Sequence, residues 1–378
     1  VSKARLLTII SNRATKPQLN EIQSVLESGG IIAFPSDTVY GLAVDAASQD
    51  AIDRLYRIKG RQRTKCLVLF VADSNTARTY THHIPKSAQH LINIYWPGPL
   101  TLVSRASATA PPGLVSSNGS IGIRVSAHPL VQQIMQAVSL VWATTSANMA
   151  GSPPLSSSSE IQASLGDRID LILASDVESR DVPSTILDIS HYPPCLLRKG
   201  PIPLAALEHV LERTIKLGPN LDFRVLFVCS GNSCRSAMAE GLLRHHLPAR
   251  LRHRVHVSSA GTLLIEGSPA TREAIDSCRE RGVDISHHLS SALTISSITE
   301  ADLILAMKRH HADTILHMAP EAREKVQLLS CFKPTKPCIE GPGIDDPIGR
   351  SLDFYRRTAM QLEQGVKSVL AYVVKKFT

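Results

Sequence analysis

Aromatic residues are scarce: Phe, Trp and Tyr together make up 4% of the 378 residues. That scarcity argues against a base-stacking platform for single-stranded nucleic acid. Apolar runs long enough to span a bilayer are also missing. The opening Val1-Ser2-Lys3-Ala4-Arg5-Leu6-Leu7 lacks the apolar core and small-residue cleavage pattern of a secretory signal. Seven cysteines, an odd number at irregular spacing, argue against a disulfide framework and for a reducing cytosol. Histidines pair at His245-His246, His287-His288 and His310-His311, but helix neighbours point apart and no zinc-type spacing joins them. They read as surface residues, and no metal site is expected. No internal repeat is found. The expectation is a cytoplasmic protein with no membrane partner.

What is present is the composition of a soluble globular chain, 43% hydrophobic and 20% charged, too long for one ordinary core. A formal net charge of +8 favours anionic partners. The most informative stretch is Val225-Leu226-Phe227-Val228 followed by Cys229-Ser230-Gly231-Asn232-Ser233-Cys234-Arg235-Ser236, after which helical spacing resumes. A strand, a loop of backbone N–H groups and a helix N-terminus together make an anion site. The helix end and Arg235 are expected to lower the pKa of Cys229 and hold it as thiolate, a nucleophile aimed at phosphorus. A bare Cys-x5-Arg says little. The flanking strand and helix, with Gly231-Asn232 inside the loop, make it specific.

In the first half, residues 17–28 and 51–58 read as helices and 31–34 and 67–71 as buried strands. Between the latter lies a basic run, Lys59, Arg61, Arg63 and Lys65. Trp96-Pro97-Gly98-Pro99 turns into a strand, 120–125 alternates as a strand carrying Arg124, and 140–143 closes in Thr144-Thr145-Ser146-Ala147-Asn148. Residues 151–159, rich in Ser and Pro, read as a mobile loop. Further strands at 169–174 and 185–189 precede Cys195-Leu196-Leu197-Arg198. This is an α/β plan with a mixed, twisted sheet. Its strand ends meet small polar residues and arginines, as in a cleft for an anionic small molecule.

Six segments, in order, carry a resemblance: Phe34-Pro35-Ser36-Asp37-Thr38-Val39-Tyr40-Gly41-Leu42, Lys59-Gly60-Arg61, Trp96-Pro97-Gly98-Pro99-Leu100-Thr101, Ile123-Arg124-Val125, Ser146-Ala147-Asn148 and Pro183-Ser184-Thr185. Through them residues 15–203 resemble the threonylcarbamoyl-AMP synthase family. The resemblance implies conversion of L-threonine, bicarbonate and ATP into threonylcarbamoyl-AMP and pyrophosphate, with Mg²⁺ accompanying the ATP. The product serves tRNA threonylcarbamoyladenosine modification, so tRNA is an indirect partner. By the same resemblance Lys59, Arg61 and Lys65 clamp the triphosphate, and Ser120, Ser146, Asn148 and Arg198 face the nucleotide. Arg124 pairs with the threonine carboxylate, while Thr38, Thr144 and Ser184 hydrogen-bond the amino acid. No general base stands out, which leaves orientation to supply much of the rate. Lys65 and Phe70 depart from the family's frequent Asn and His, and a serine expected after the Ser-Ala-Asn loop is replaced near Pro154. The family's longer members carry a different C-terminal domain. The rival is a basic RNA-binding or regulatory domain without catalysis.

Residues 204–216 read as a helix with Leu204, Leu207, Leu211 and Ile215 on one face, closed by Leu217-Gly218-Pro219-Asn220. This gives a helical linker, 204–222, between domains 1–203 and 223–378. Beyond it strands and helices alternate, which predicts a doubly wound parallel sheet with the Cys229 loop at the carboxyl end of its first strand. That loop, Ser259-Ala260-Gly261-Thr262, Asp284-Ile285-Ser286-His287-His288, the strand with Asp302 and the Asp345-Asp346-Pro347 loop resemble the low-molecular-weight protein phosphatases. The resemblance implies a phosphorylated protein substrate and no cofactor. Cys229 attacks phosphorus, Arg235 and the loop N–H groups of Ser230 to Ser236 grip its oxygens, and Asn232 and Ser236 order the loop. Asp346 protonates the leaving group and then activates water, with Asp345 its rival. Ser233 and Ile348-Gly349 stand where tyrosine-specific members have a bulky aliphatic and aromatics, a pattern similar to the protein-arginine phosphatase branch. Ala237 replaces the family's usual proline. A tyrosine phosphatase and an arsenate reductase of the same fold are the alternatives. The latter needs a resolving pair, for which Cys331 and Cys338 are suitably spaced; otherwise they are ordinary loop thiols. Cys234 can pair with Cys229 under oxidation.

Overall fold

Alternation along the strands sorts the first half of the chain into two cores. Ala33, Leu42, Val44, Leu69 and Ala143 join one apolar cluster, while their neighbours Ile32, Phe34, Ala43, Phe70 and Trp142 join another. Strands buried on both faces behave this way because successive side chains point to opposite sides. Phe34 stands edge-on to Phe70 and Trp142, with ring centroids 5.8 and 5.2 Å away.

The computed structural model describes residues 3–138, 140–149, 151–175 and 182–378, in two units, Val1–Ile202 and Pro203–Thr378. In the first, the strands are β1 (Arg5–Ile9), β2 (Ile32–Phe34), β3 (Gly41–Asp45), β4 (Val68–Phe70), β5 (Leu100–Arg105), β6 (Ser120–Arg124), β7 (Trp142–Ser146), β8 (Leu171–Ser175), β9 (Thr185–Asp188) and β10 (Cys195–Arg198). They lie in the order β1-β8-β2-β3-β7-β4-β6-β5-β9-β10. Parallel pairs such as β4–β6 and β5–β9 sit beside antiparallel ones such as β3–β7 and β5–β6, the mixed sheet expected. Its helices are α1 (Lys16–Glu27), α2 (Gln49–Lys59), α3 (Ser74–Thr79), α4 (Lys86–Tyr95), α5 (Pro129–Ala137) and α6 (Ser158–Leu165). Residues 157–159, expected in a mobile loop, instead start α6: Ser157 accepts from the Glu160 N–H and Glu160 reaches back, a capping box.

The second unit comprises α7 (Leu204–Leu211), β11 (Lys216–Leu217), β12 (Phe223–Cys229), α8 (Arg235–His246), β13 (Val255–Gly261), α9 (Arg272–Arg279), α10 (Ile295–Glu300), β14 (Leu303–Ala306), α11 (Arg309–Met318), β15 (Val326–Leu328) and α12 (Leu352–Lys375). Its sheet, ordered β13-β12-β14-β15, is parallel throughout, as the alternating pattern predicts.

Two expectations need correction. The helix expected over 204–216 is shorter: α7 stops at Leu211, where Glu212 turns left-handed (φ 52°), and residues 204–222 fall in the second unit. Glu208, fully buried, accepts from the Ile215 N–H (2.6 Å), the Tyr372 hydroxyl and the Lys376 ammonium. Cys331 and Cys338 are not separate loop thiols but a disulfide, Cα atoms 6.1 Å apart. The Leu328 N–H donates to the Cys338 carbonyl (2.7 Å), closing the turn that brings them together.

Candidate active sites

In the first unit the loop after β2, the ends of β4, β6 and β7, and β9–β10 enclose a cavity of about 110 Å³. Gly41 opens β3 because a Cβ there would sit 2.6 Å from the Phe34 ring. Thr38, Arg61, Arg124, Thr144, Ser146, Ser184 and Arg198 line the cavity together. Arg124 is held on every side. Its Nε donates to the Gly98 carbonyl (3.0 Å), Nη1 to Thr38 Oγ1 (2.8 Å), and Nη2 lies 2.8 Å from Asp37 Oδ2. The guanidinium also sits 5.4 Å from the centre of the Phe70 ring. Arg198 donates to the Ser184 carbonyl (2.9 Å) and hydroxyl (2.8 Å), and that hydroxyl meets Thr101 Oγ1 at 2.9 Å. Thr144 donates to the Val68 carbonyl. Burial, with Arg124 and Arg61 close by, brings Arg198 down to about 10. With Arg124 paired to Asp37, Arg61 and Arg198 are the guanidiniums left to favour an anion in the cleft.

A second depression beside it is lined by Lys59, Arg61, Lys65, Ser146 and Asn148. Lys59 is buried, its ammonium donating to the Ser146 carbonyl and Asn148 Oδ1, each at 2.5 Å. Burial and the Arg61 charge pull it to about 7. Arg61 spans both hollows and donates to the Lys65 and Cys66 carbonyls (2.7 and 3.0 Å). Ser120 is the exception. It starts the strand that Arg124 ends, roughly 13 Å away at strand rise, and its hydroxyl bonds Asn118 and Ser116 (2.8 Å each); it lines neither hollow. Asp37, Phe70 and Thr101 carried no assigned role in the sequence, although the Pro35-Ser36-Asp37-Thr38 turn beside an arginine-bearing strand was a usable signal. Asp37 also accepts from the Ser126 hydroxyl (2.5 Å). Among the described residues no group of three His, Cys, Asp or Glu side chains could hold a metal, so the chain's own donors do not fit a resident Mg²⁺.

In the second unit β12 delivers Cys229 to the loop and α8 starts at Arg235. Asn232 takes a left-handed φ of 53°, which asparagine tolerates. Its Nδ2 donates to Ser236 Oγ (2.9 Å) and Ser259 Oγ (2.8 Å), and Ser236 Oγ lies 2.9 Å from Cys229 Sγ. The glycine that this seating requires is Gly261, not Gly231: a Cβ at Gly261 would meet the Ser230 carbonyl at 2.7 Å. Behind the loop, His288 Nε2 meets the Asn232 carbonyl at 2.6 Å, and Glu240 takes the Ser259 hydroxyl at 2.5 Å. Arg235 is buried. Its Nη1 donates to the Ile344 carbonyl (3.1 Å), Nη2 contacts Asp346 Oδ2, and Nε is a buried donor with no protein partner. Asp345 instead pairs with Lys308 (2.8 Å), 71% exposed. Cys234 is buried against the Tyr355 hydroxyl (3.3 Å) and Thr271 (3.5 Å). Ser233 and Ile348 are less enclosed, the latter 55% exposed.

Two expectations change. Burial pushes the Cys229 thiol up, outweighing Ser236, the Arg235 charge and the Asn232 N–H that pull it down. Arg235 is already engaged by Asp346, which leaves less positive charge for sulfur. Nor are the paired histidines all on the surface: His311 is fully buried.

A mixed-sheet cleft of three arginines and a cysteine–arginine loop on a parallel sheet define a chain with two enzymatic anion sites. Residues 24–200 match the family model described as Telomere recombination, the Sua5/YciO/YrdC domain, and residues 224–378 that of Low molecular weight phosphotyrosine protein phosphatase. The threonylcarbamoyl-AMP synthase of Vibrio vulnificus is 34% identical over 172 residues, 45% of this chain and 92% of that protein. Sua5 of Pyrococcus abyssi, solved with L-threonine, aligns over 96% of this chain and 98% of that one at TM-score 0.54 and 19% identity, a likeness of fold. The YwlE arginine phosphatase of Geobacillus stearothermophilus is 35% identical over 41% of this chain and 94% of that one, at TM-score 0.36. The chain belongs to the threonylcarbamoyl-AMP synthase family through its first unit and to the low-molecular-weight phosphatase family through its second.

Proposed function

We propose that the chain is a cytoplasmic bifunctional enzyme: it makes threonylcarbamoyl-AMP for tRNA modification and hydrolyses phosphoarginine in proteins. What carries the first half is the arginine-lined cleft faced by neutral hydroxyls. Arg124 receives the threonine carboxylate beside Thr38, Thr144 and Ser184. Lys59, Arg61 and Lys65 take the triphosphate, and Ser146, Asn148 and Arg198 the rest of the nucleotide. Threonine and bicarbonate give N-carboxythreonine and water; its carboxylate attacks the α-phosphorus as the bond to pyrophosphate breaks. Guanidiniums fixed before the reaction stabilise the charge that develops on the leaving group. Mg²⁺ arrives on the ATP phosphates.

For the second half, Asp346 against Arg235 supports Asp346 over Asp345 as the acid. Cys229, as thiolate, forms an S–P bond while the P–N bond breaks, and Asp346 gives its proton to the leaving guanidine. Asp346 then takes a proton from the water that cleaves S–P and releases phosphate. The small Ser233 and aliphatic Ile348 favour phosphoarginine over phosphotyrosine. A second reading, arsenate reduction, is favoured by the Cys331–Cys338 bond.

The experiment is turnover on phosphoarginine and phosphotyrosine peptides side by side, with Cys229→Ser as blank and arsenate-dependent loss of thiols as a third arm. Phosphoarginine is expected to lead by at least tenfold in kcat/KM, about 1.4 kcal/mol in the transition state. A phosphotyrosine lead sinks the specificity, and arsenate-dependent oxidation supports the second reading. Threonine- and bicarbonate-dependent pyrophosphate release tests the first unit, with salt-sensitive RNA binding and no release as the result against it.

A further inference from the structure

We infer that His311 and Ser230 act as a pair that completes the phosphate loop: His311 positions the Ser230 hydroxyl so that its proton is directed at the bound anion. β12 and β14 are parallel neighbours, Val228 beside Ala306, so the residues just past their ends meet. His311 is 0% exposed. The Lys308 backbone N–H donates to His311 Nδ1 (3.1 Å), and an amide N–H can only donate. A neutral imidazole that accepts at Nδ1 carries its proton on Nε2. Nε2 lies 2.9 Å from Ser230 Oγ, so the ring donates and the serine accepts. Arg235 Nη2 donates to the same oxygen at 3.4 Å. Both lone pairs of Ser230 are then occupied and one proton remains to give, in a loop whose other groups are donors.

The ring stays neutral for a physical reason. It is buried, the His310 ring centroid is 4.0 Å away, and the Arg235 and Lys308 charges face it, which together hold it down to about 3. The plainer account makes His311 a cap for α11, and its Nδ1 does serve that end. Capping uses one nitrogen. The other is committed to a residue of the catalytic loop.

The test uses the full chain with p-nitrophenyl phosphate, and reads inorganic phosphate affinity separately from its protection of Cys229 against iodoacetate. Ser230→Ala is expected to lower kcat/KM and weaken phosphate protection roughly tenfold, as for loss of a hydrogen bond to a charged group, and Ser230→Thr to restore both. His311→Leu should match Ser230→Ala, and the double variant should be no worse than either alone, the non-additivity of a coupled pair. His311→Gln, with an acceptor oxygen and a donor nitrogen on its amide, should recover most of the loss. Unaltered turnover and phosphate protection in Ser230→Ala overturn the proposal, as do additive losses. If His311→Leu does not fold, Ser230→Ala against Ser230→Thr decides alone, and equal phosphate affinity overturns it. Because protection needs no turnover, a failure of the phosphatase reading is seen apart from a failure of the pair.

Discussion

Lys59 sits where a phosphate clamp is wanted, yet burial and Arg61 bring its ammonium to about 7. The depressed value means the free site loses this charge as pH rises through neutrality. An incoming polyanion favours the charged form, so ATP binding at pH 8 is expected to take up most of one proton, and at pH 6 little. Calorimetry in two buffers of different ionisation enthalpy reads this. Lys59→Arg should abolish the uptake, because a guanidinium is charged throughout; equal uptake in that variant would assign the proton elsewhere. At the second site the thiol is pushed up while Arg235 leans on Asp346. Asp346→Asn releases that guanidinium toward sulfur, so the apparent pKa for Cys229 alkylation should fall and its rate at pH 7.5 rise severalfold. An unchanged alkylation profile would mean that Asp346 does not restrain the nucleophile.

α7 shows how one charged residue fastens an element. Leu204, Leu207 and Leu211 are buried, as their spacing predicts, and Glu208 is buried beside them. Its partner Lys376 is likewise 0% exposed; burial presses the pair toward neutrality, bringing Lys376 to about 8. Removing one member leaves the other buried and unpaired, so Glu208→Leu is expected to destabilise the second unit by about 3–5 kcal/mol. Glu208→Leu with Lys376→Met should regain much of that, since an apolar pair of similar volume needs no desolvation. Urea unfolding of both variants checks it, and a loss retained in full by the double variant would argue that packing, not charge, is at issue. The pairing was not legible along the chain, because a glutamate amid leucines reads as a solvated edge until the terminal helix covers it.

At the scale of the whole molecule, the two-part organisation, the mixed sheet of the first unit and the parallel sheet of the second were readable from strand periodicity, glycine stops and the order of short motifs. So was the cysteine–arginine loop, whose residues are close in sequence and whose chemistry depends on local backbone. Sequence by itself therefore determined the families, the elements and the residues clustered within one turn. Tertiary structure alone decided contacts between distant segments: Asp37 on Arg124, Asp346 rather than Asp345 on Arg235, His311 on Ser230, and Glu208 on Lys376. It also decided that the Cys229 thiol is pushed up rather than down, since burial is a property of the packed interior. Short-range pattern encodes which way a side chain points from its own element; what it meets there depends on how the other elements close over it.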